Sequence, residues 1–240
     1  MSSYAPTATM DLPEPTPHFA DRRDAGRRLA ARLAHHHAAP RTIVLGLPRG
    51  GVVPAAEVAA ALALPLDVLL ARKLGAPGDP EFAIGAVAEE AAPWLDDESA
   101  AATGASPAFV AAALATARGE IARQRTRLRA GRPLDLPAGA TVILVDDGVA
   151  TGASVIAAIR AVRTLGVGRV VLAVPVAPPD TALRLRELVD ELVVLATPDP
   201  FVAVGDYYDD FVEVHDDDVA VLLAAAQENV SPPRRAHAAR

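Results

Sequence analysis

Three observations predict an α/β fold: a parallel sheet flanked by helices, with a helical insertion and a small hood. First, short continuous apolar runs rich in Val, Ile and Leu recur at 43–47, 66–71, 142–145, 169–174 and 191–196; such runs read as strands buried on both faces. Second, segments with apolar residues at helical spacing separate them, the alternation that builds parallel sheets. Third, the first three runs end in PRGG, in Arg72-Lys73 and in DDGVATGAS. The carboxyl ends of strands are where such sheets bind ligands.

Taken in order, 20–36 is a basic amphipathic helix with Ala25, Leu29 and Leu33 on one face. Strand 43–47 leads through PRGGVV into a helix that Pro54 can open at its first position. Strand 66–71 follows, and then LGAPGDPEF (74–82), whose Gly and Pro density predicts a mobile loop without regular structure. A short strand at 83–90 precedes the insertion, about 90–135, whose long helix at 107–130 carries an Arg-rich half expected to be exposed. After strand 142–145, Val155, Ile156, Ile159 and Val162 mark a helix that ends at Gly166. Strand 169–174, a helix near 180–189 and strand 191–196 complete the core, about 40–200, of a single domain spanning 18–230. The hood is drawn from the N-terminal helix, from 198–215, or from both. Pro- and Ser-rich 1–17 and 231–240 read as flexible tails.

The chain has 240 residues, 51% of them hydrophobic, enough for a real core. With a net charge of −7 and no dominant basic segment, nucleic acid is not expected as a partner. The absence of cysteine removes disulfides, thiolate chemistry and cysteine metal sites. No apolar run approaches the roughly 18 residues of a membrane span, and no signal peptide is evident, so a cytoplasmic protein acting on small molecules is expected.

Residues 141–154, TVILVDDGVATGAS, carry the most chemistry. A buried strand ends in Asp146 and Asp147, and a small-residue loop with two hydroxyls then enters a helix. That combination suits a phosphate attached to a sugar. Free N–H groups and the helix dipole attract the phosphate, small side chains let it approach, and carboxylates accept hydrogen bonds from sugar hydroxyls. A receiver domain would place its acidic pair nearer the N-terminus, with a phospho-accepting Asp ending a later strand. A dinucleotide fold needs GxGxxG where GLPRGG stands, and no Gly-Lys-Ser/Thr loop is present. The reading would fail if both acids were locked in an internal salt link and the amides of 150–154 were blocked.

VILVDDGVATGAS resembles the phosphoribosyl-pyrophosphate (PRPP) motif of type I phosphoribosyltransferases, and the likeness extends over roughly 42–215 through LGLPRGGVVPAAEVA, LDVLLARKLGAPGDPEFAIGAV and TPDPFVAVGDYYDDF. These segments look like a bacterial branch of predicted phosphoribosyltransferases. The resemblance implies that Asp146 and Asp147 hold the ribose hydroxyls and, through substrate or water, Mg2+. It implies that the loop from Gly148 and Val149 through Ala150, Thr151, Gly152, Ala153 and Ser154 cradles the 5-phosphate. Pro48, Arg49, Gly50 and Gly51 would form the pyrophosphate loop, where the family often has a cis peptide before the basic residue. Arg72 and Lys73 would reach pyrophosphate oxygens, and 74–82 would be the catalytic loop. Arg49, Lys73, Asp146 and Asp147 would carry catalysis. At the acceptor, Phe201, Val202 and Asp206 are similar to the base-stacking segment of hypoxanthine-guanine enzymes; an aromatic turn packed for stability explains them equally well. Ala150 departs from relatives that place a proton-exchanging Asp there. A non-catalytic sensor of PRPP or nucleotides, a hydrolase of phosphoribosyl compounds and an interaction protein that merely kept the fold stay open.

Other features take plainer readings. His35-His36-His37 suits a helix C-terminus, without a partner at metal-ligand spacing. Asp216–Asp218 cap the helix that follows. Arg118–Arg132 is a solvated helix face, part of a homodimer contact or, as the lesser alternative, a place for an acidic ligand. Trp94 is a loop anchor or a lid.

Overall fold

The computed structural model describes residues 18–230 except Glu90; both tails expected from the sequence lie outside the described residues. After α1 (Arg22–Arg32) come β1 (Thr42–Gly46), α2 (Val52–Leu62), β2 (Leu66–Val68), β3 (Ala71–Ala76), β4 (Asp79–Ala88) and β5 (Trp94–Leu95). Helices α3 (Asp97–Ala102) and α4 (Pro107–Arg129) form the insertion. The chain returns through β6 (Thr141–Val145), α5 (Ala153–Arg163), β7 (Arg169–Val176), α6 (Pro179–Arg186), β8 (Glu191–Ala196) and α7 (Asp216–Val230).

Five strands pair in parallel in the order β2-β1-β6-β7-β8. Every side chain of β1 is buried, as is all of β6 except its first residue, and one apolar cluster lies on each side of the sheet. That explains the unbroken apolar runs: a strand covered on both faces has no polar alternation to show. β7 runs two residues past its expected end and includes Pro175. Its last pairing with β6 is Val145 with Ala173, so beyond that point only β8 flanks it, and a proline there costs no ladder bond on the vacated side.

The expected loop at 74–82 is instead a hairpin. β3 and β4 pair antiparallel, joined by β5 in a second sheet that packs between α4 and α5. The glycines and proline that suggested disorder serve the hairpin. Gly78 takes the turn at φ +79°, while the register shifts around Gly75, where an added Cβ would lie 2.7 Å from the Pro80 backbone. The apolar run 66–71 accordingly splits, with β2 ending at Val68 and Ala71 already in β3.

Three smaller expectations change too. α2 starts at Val52, so Pro54 is its third residue, still within the turn whose N–H groups lack helical acceptors. The Arg-rich half of α4 is not all solvated: Arg129 is 3% exposed. The histidine run does meet an acid, because a short 3-10 turn (Ala34–His36) after α1 brings His35 and His36 against Glu191 of β8. Trp94 behaves as an anchor, half-buried under the Arg160 guanidinium at 5.0 Å. Among Asp216–Asp218, Asp218 reaches back to accept from the N–H of His215 at 2.8 Å, closing the start of α7.

The two segments expected to supply the hood touch each other. The N–H of Phe19 donates to the Tyr207 carbonyl, those of Asp209 and Asp210 donate to Phe19 and Ala20, and the Phe19 and Tyr208 rings pack at 5.3 Å. Among the described residues no helix is long and apolar enough to cross a membrane.

Candidate functional site

In the strand order β2-β1-β6-β7-β8, connections from β1 and β6 leave in opposite directions, which opens a crevice at their carboxyl ends. Gly46 pairs with Val145, so the loops 47–51 and 146–152 emerge side by side although about a hundred residues separate them. They touch: the N–H of Leu47 donates to the Val145 carbonyl at 2.9 Å. An added Cβ on Gly51 would lie 2.7 Å from Asp146 Oδ1, and one on Gly50 would overlap Asp147 Oδ2. The glycines of PRGG are there so that this loop can lie against the two acids. The peptide bond between Pro48 and Arg49 is cis.

The 146–154 loop is held from behind. The Thr181 hydroxyl donates to the Ala150 carbonyl at 3.0 Å and Arg184 Nη2 donates to the Thr151 carbonyl at 3.0 Å, so α6 fixes the loop's carbonyls. Gly152 caps α5 in a left-handed conformation at φ +81° that few side chains tolerate. Among the described residues none accepts from the N–H groups of Ala150, Thr151, Gly152 or Ser154, and that of Ala153 meets only the Thr151 hydroxyl at 3.5 Å. These amides open the first turn of α5 and are available to an anion.

The acids are less free. Asp147 Oδ2 accepts from Arg22 Nε at 2.6 Å, with the two side chains only 15% and 11% exposed. Arg22 is itself placed by the Val212 carbonyl at 2.7 Å and by the Phe211 ring, 3.7 Å below its guanidinium. The Tyr208 hydroxyl donates to the Asp147 carbonyl at 2.5 Å; burial, reinforced by the Asp147 charge, holds that phenol in its protonated form. Asp146 Oδ1 accepts from the N–H of Asp147 at 2.9 Å. Burial pushes the Asp146 carboxyl well above the usual carboxylate range, and the charge on Asp147 adds to the push. Of the two conditions that would together have ended the sugar-phosphate reading, the salt link reaches Asp147 but not Asp146, and the amides are open.

The remaining sequence-selected residues are spread around this crevice. Arg49 is exposed, its Nη2 3.3 Å from Glu213 Oε1. Arg72 is directed to the insertion, donating to Glu120 at 3.1 Å and Gln124 at 2.6 Å, so the structure does not bring it to the acids. Lys73 lies on the other face of β3, beside Ala71, which packs into the cluster containing α5. Phe201 packs on Tyr207 at 5.4 Å, Val202 is exposed, and Asp206 is the third residue of a 3-10 turn (Val204–Tyr207) whose Val204 would collide with any Cβ on Gly148. The stability reading of Phe201 thus has a physical basis. Arg22, Thr181, Arg184 and Tyr208 escaped the sequence reading. Each acts through a contact at least 31 residues away, and only the position of Tyr208 in the hood segment hinted at a role.

A family model described as phosphoribosyl transferase domain matches residues 20–211. Two proteins of Mycobacterium tuberculosis, from strains H37Rv and CDC 1551 and provisionally named phosphoribosyl transferases, are each 44% identical over 211 residues. The match takes in 88% of this chain and 47% of theirs, so the chain spans about half the length of these curated relatives. The crystal structure of TT1426 from Thermus thermophilus superimposes with a TM-score of 0.78 at 46% identity, covering 87% of this chain and 98% of that one.

Proposed function

The chain belongs to the phosphoribosyl transferase family, and from that premise we propose that its site binds PRPP with Mg2+ and transfers the phosphoribosyl group to an acceptor, releasing pyrophosphate. The open amides of Ala150–Ser154 at the head of α5, facing the glycine loop across the crevice, carry this reading. They take the 5-phosphate, and the acids take the ribose hydroxyls. The Asp147 carboxylate can do so only when Arg22 yields, so the sugar replaces the guanidinium as hydrogen-bond donor. The acceptor forms its bond to C1 of the ribose while the C1–oxygen bond to pyrophosphate breaks, the electron pair leaving with pyrophosphate. Arg49, Lys73 and the backbone of Pro48–Gly51 then face growing negative charge.

Mg2+ fits this donor set in part. Asp146 and Asp147 offer only oxygen, as the ion requires, yet one is deep and held towards its neutral form and the other is engaged by Arg22. The ion is therefore expected to arrive on substrate oxygens, with these acids reaching it directly or through water; there it would neutralise the diphosphate. Ala150 cannot exchange a proton with the acceptor, so that proton goes to another group or stays with the acceptor.

The test is pyrophosphate release from PRPP and Mg2+ with a panel of nitrogenous bases. Release that requires one base supports transfer. Release without any base makes the protein a hydrolase, and saturable PRPP binding without release makes it a sensor. Asp147→Asn and Arg49→Ala should each abolish PRPP binding or turnover with circular dichroism unchanged, and parent-like binding in both would remove the site assignment. Thermal shifts with nucleoside monophosphates then identify the acceptor, since the best ligand presents base and phosphoribosyl group together.

A further inference from the structure

At the amino-terminal edge of the sheet, opposite the crevice, lies a cluster that phosphoribosyl transfer does not use. The 3-10 turn after α1 carries His35 and His36, and β8 begins with Glu191. His35 Nε2 lies 2.8 Å from Glu191 Oε1 and His36 Nε2 lies 3.1 Å from Oε2. The two rings pack at 4.2 Å with an interplanar angle of 42°, so neighbouring residues aim the same nitrogen at one carboxylate. One ligand atom from each residue falls within 4.8 Å of the others.

We propose that His35, His36 and Glu191 form a binding site for a transition-type divalent cation such as zinc, with water completing its coordination. Two neutral imidazoles and a carboxylate are a donor set that zinc takes, at about 2.0–2.2 Å per ligand. A cation at those distances tolerates donor separations up to about 4 Å, so small side-chain rotations suffice. His36 is buried and Glu191 is mostly covered, while His35 stands 57% exposed, leaving one side open to water. Arg169 Nη2 donates to Glu191 Oε2 at 2.9 Å. It leaves Oε1 to the ion and orients the carboxylate from outside, and its positive charge weakens the affinity for a cation. The ion would pin the end of α1 to β8, two elements that otherwise meet through a few apolar contacts.

The test uses the full chain without an added histidine tag. Calorimetric titration with Zn2+ should give one site per chain, and Co2+ should develop a visible absorption band. His36→Gln and Glu191→Gln should each weaken Zn2+ more than about tenfold, while His37→Gln, outside the cluster, should bind like the parent. Should either first variant misfold, His35→Gln reports the same loss from an exposed position. Excess Mg2+ should not displace the metal, because Mg2+ disfavours imidazole. No saturable Zn2+ binding, or binding indifferent to His35, His36 and Glu191, overturns the proposal and leaves the PRPP reading untouched.

Discussion

Arg22 and Arg129 each project from a helix onto a carboxylate near the sheet, and they do opposite things. Arg129, the last residue of α4, pairs with Glu89 beyond β4 and lies 3.5 Å from Asp67 of β2, its side chain and that of Glu89 almost wholly buried. Glu89 Oε2 and Arg129 Nη1 have no hydrogen-bond partner among the described residues. Burial pushes the Asp67 and Glu89 carboxyls up even with that guanidinium beside them. This cluster pins the insertion to the sheet, and the Arg129–Glu89 pair at its centre has no route to solvent for its charges. Arg22 meets Asp147 at the mouth of a crevice, where both groups keep partial access to water and where, on the proposed reading, a sugar hydroxyl would take over the bond. A buried pair is a permanent commitment, whereas one at a crevice mouth can be exchanged.

The largest effect should come from breaking the buried cluster. Arg129→Met removes the guanidinium that Glu89 and Asp67 share and should cost about 3–5 kcal/mol in urea denaturation. The double variant Arg129→Met with Glu89→Leu should recover most of that loss, because the pair it removes is incompletely hydrogen-bonded. If the single variant is as stable as the parent, the permanence assigned to this cluster is wrong.

The next effect concerns the acid that burial pushes towards its neutral form. Asp146 ionises with an ordinary value of 3.8 in the unfolded chain and well above it in the fold. The folded protein therefore binds the extra proton. The stability this contributes is complete below the unfolded value and is lost as pH rises through the folded one. Asp146→Asn keeps an oxygen for the N–H of Asp147 and removes the buried charge. It should raise the neutral-pH melting temperature by a few degrees and flatten the decline above pH 4, at the expense of ribose binding. An unchanged pH profile would place the Asp146 carboxyl in water.

Much of this was legible in the sequence because it is local. The strand-loop-helix unit at 141–163 is fixed by a buried run, a glycine at a left-handed position and helical spacing, all contiguous. What was not legible depends on distance or on glycine's double meaning. LGAPGDPEF reads as a loop because Gly75, Gly78 and Pro80 break regular structure, yet the same residues build a bulge and a tight turn when β5 and two helices hold the hairpin. Glu191 meets His35 across 156 positions, and Arg22 meets Asp147 across 125. One sequence without a partner's covariation carries no trace of such pairs.

The smallest effect is the sharpest test of exchangeability. Arg22→Ala removes the protein's own competitor for Asp147 while leaving the open amides in place. A partly exposed ion pair is worth about 1 kcal/mol, so PRPP should bind about fivefold tighter. Pyrophosphate alone, which makes no use of Asp147, should bind as it does to the parent. That difference separates release of the acid from general loosening of the hood, since Arg22 also ties Val212 and Phe211 to α1 and a loosened hood would change both ligands together. Weaker PRPP binding with pyrophosphate unchanged would mean that Arg22 stays and serves the substrate, and the two arginines would then differ in burial but not in kind.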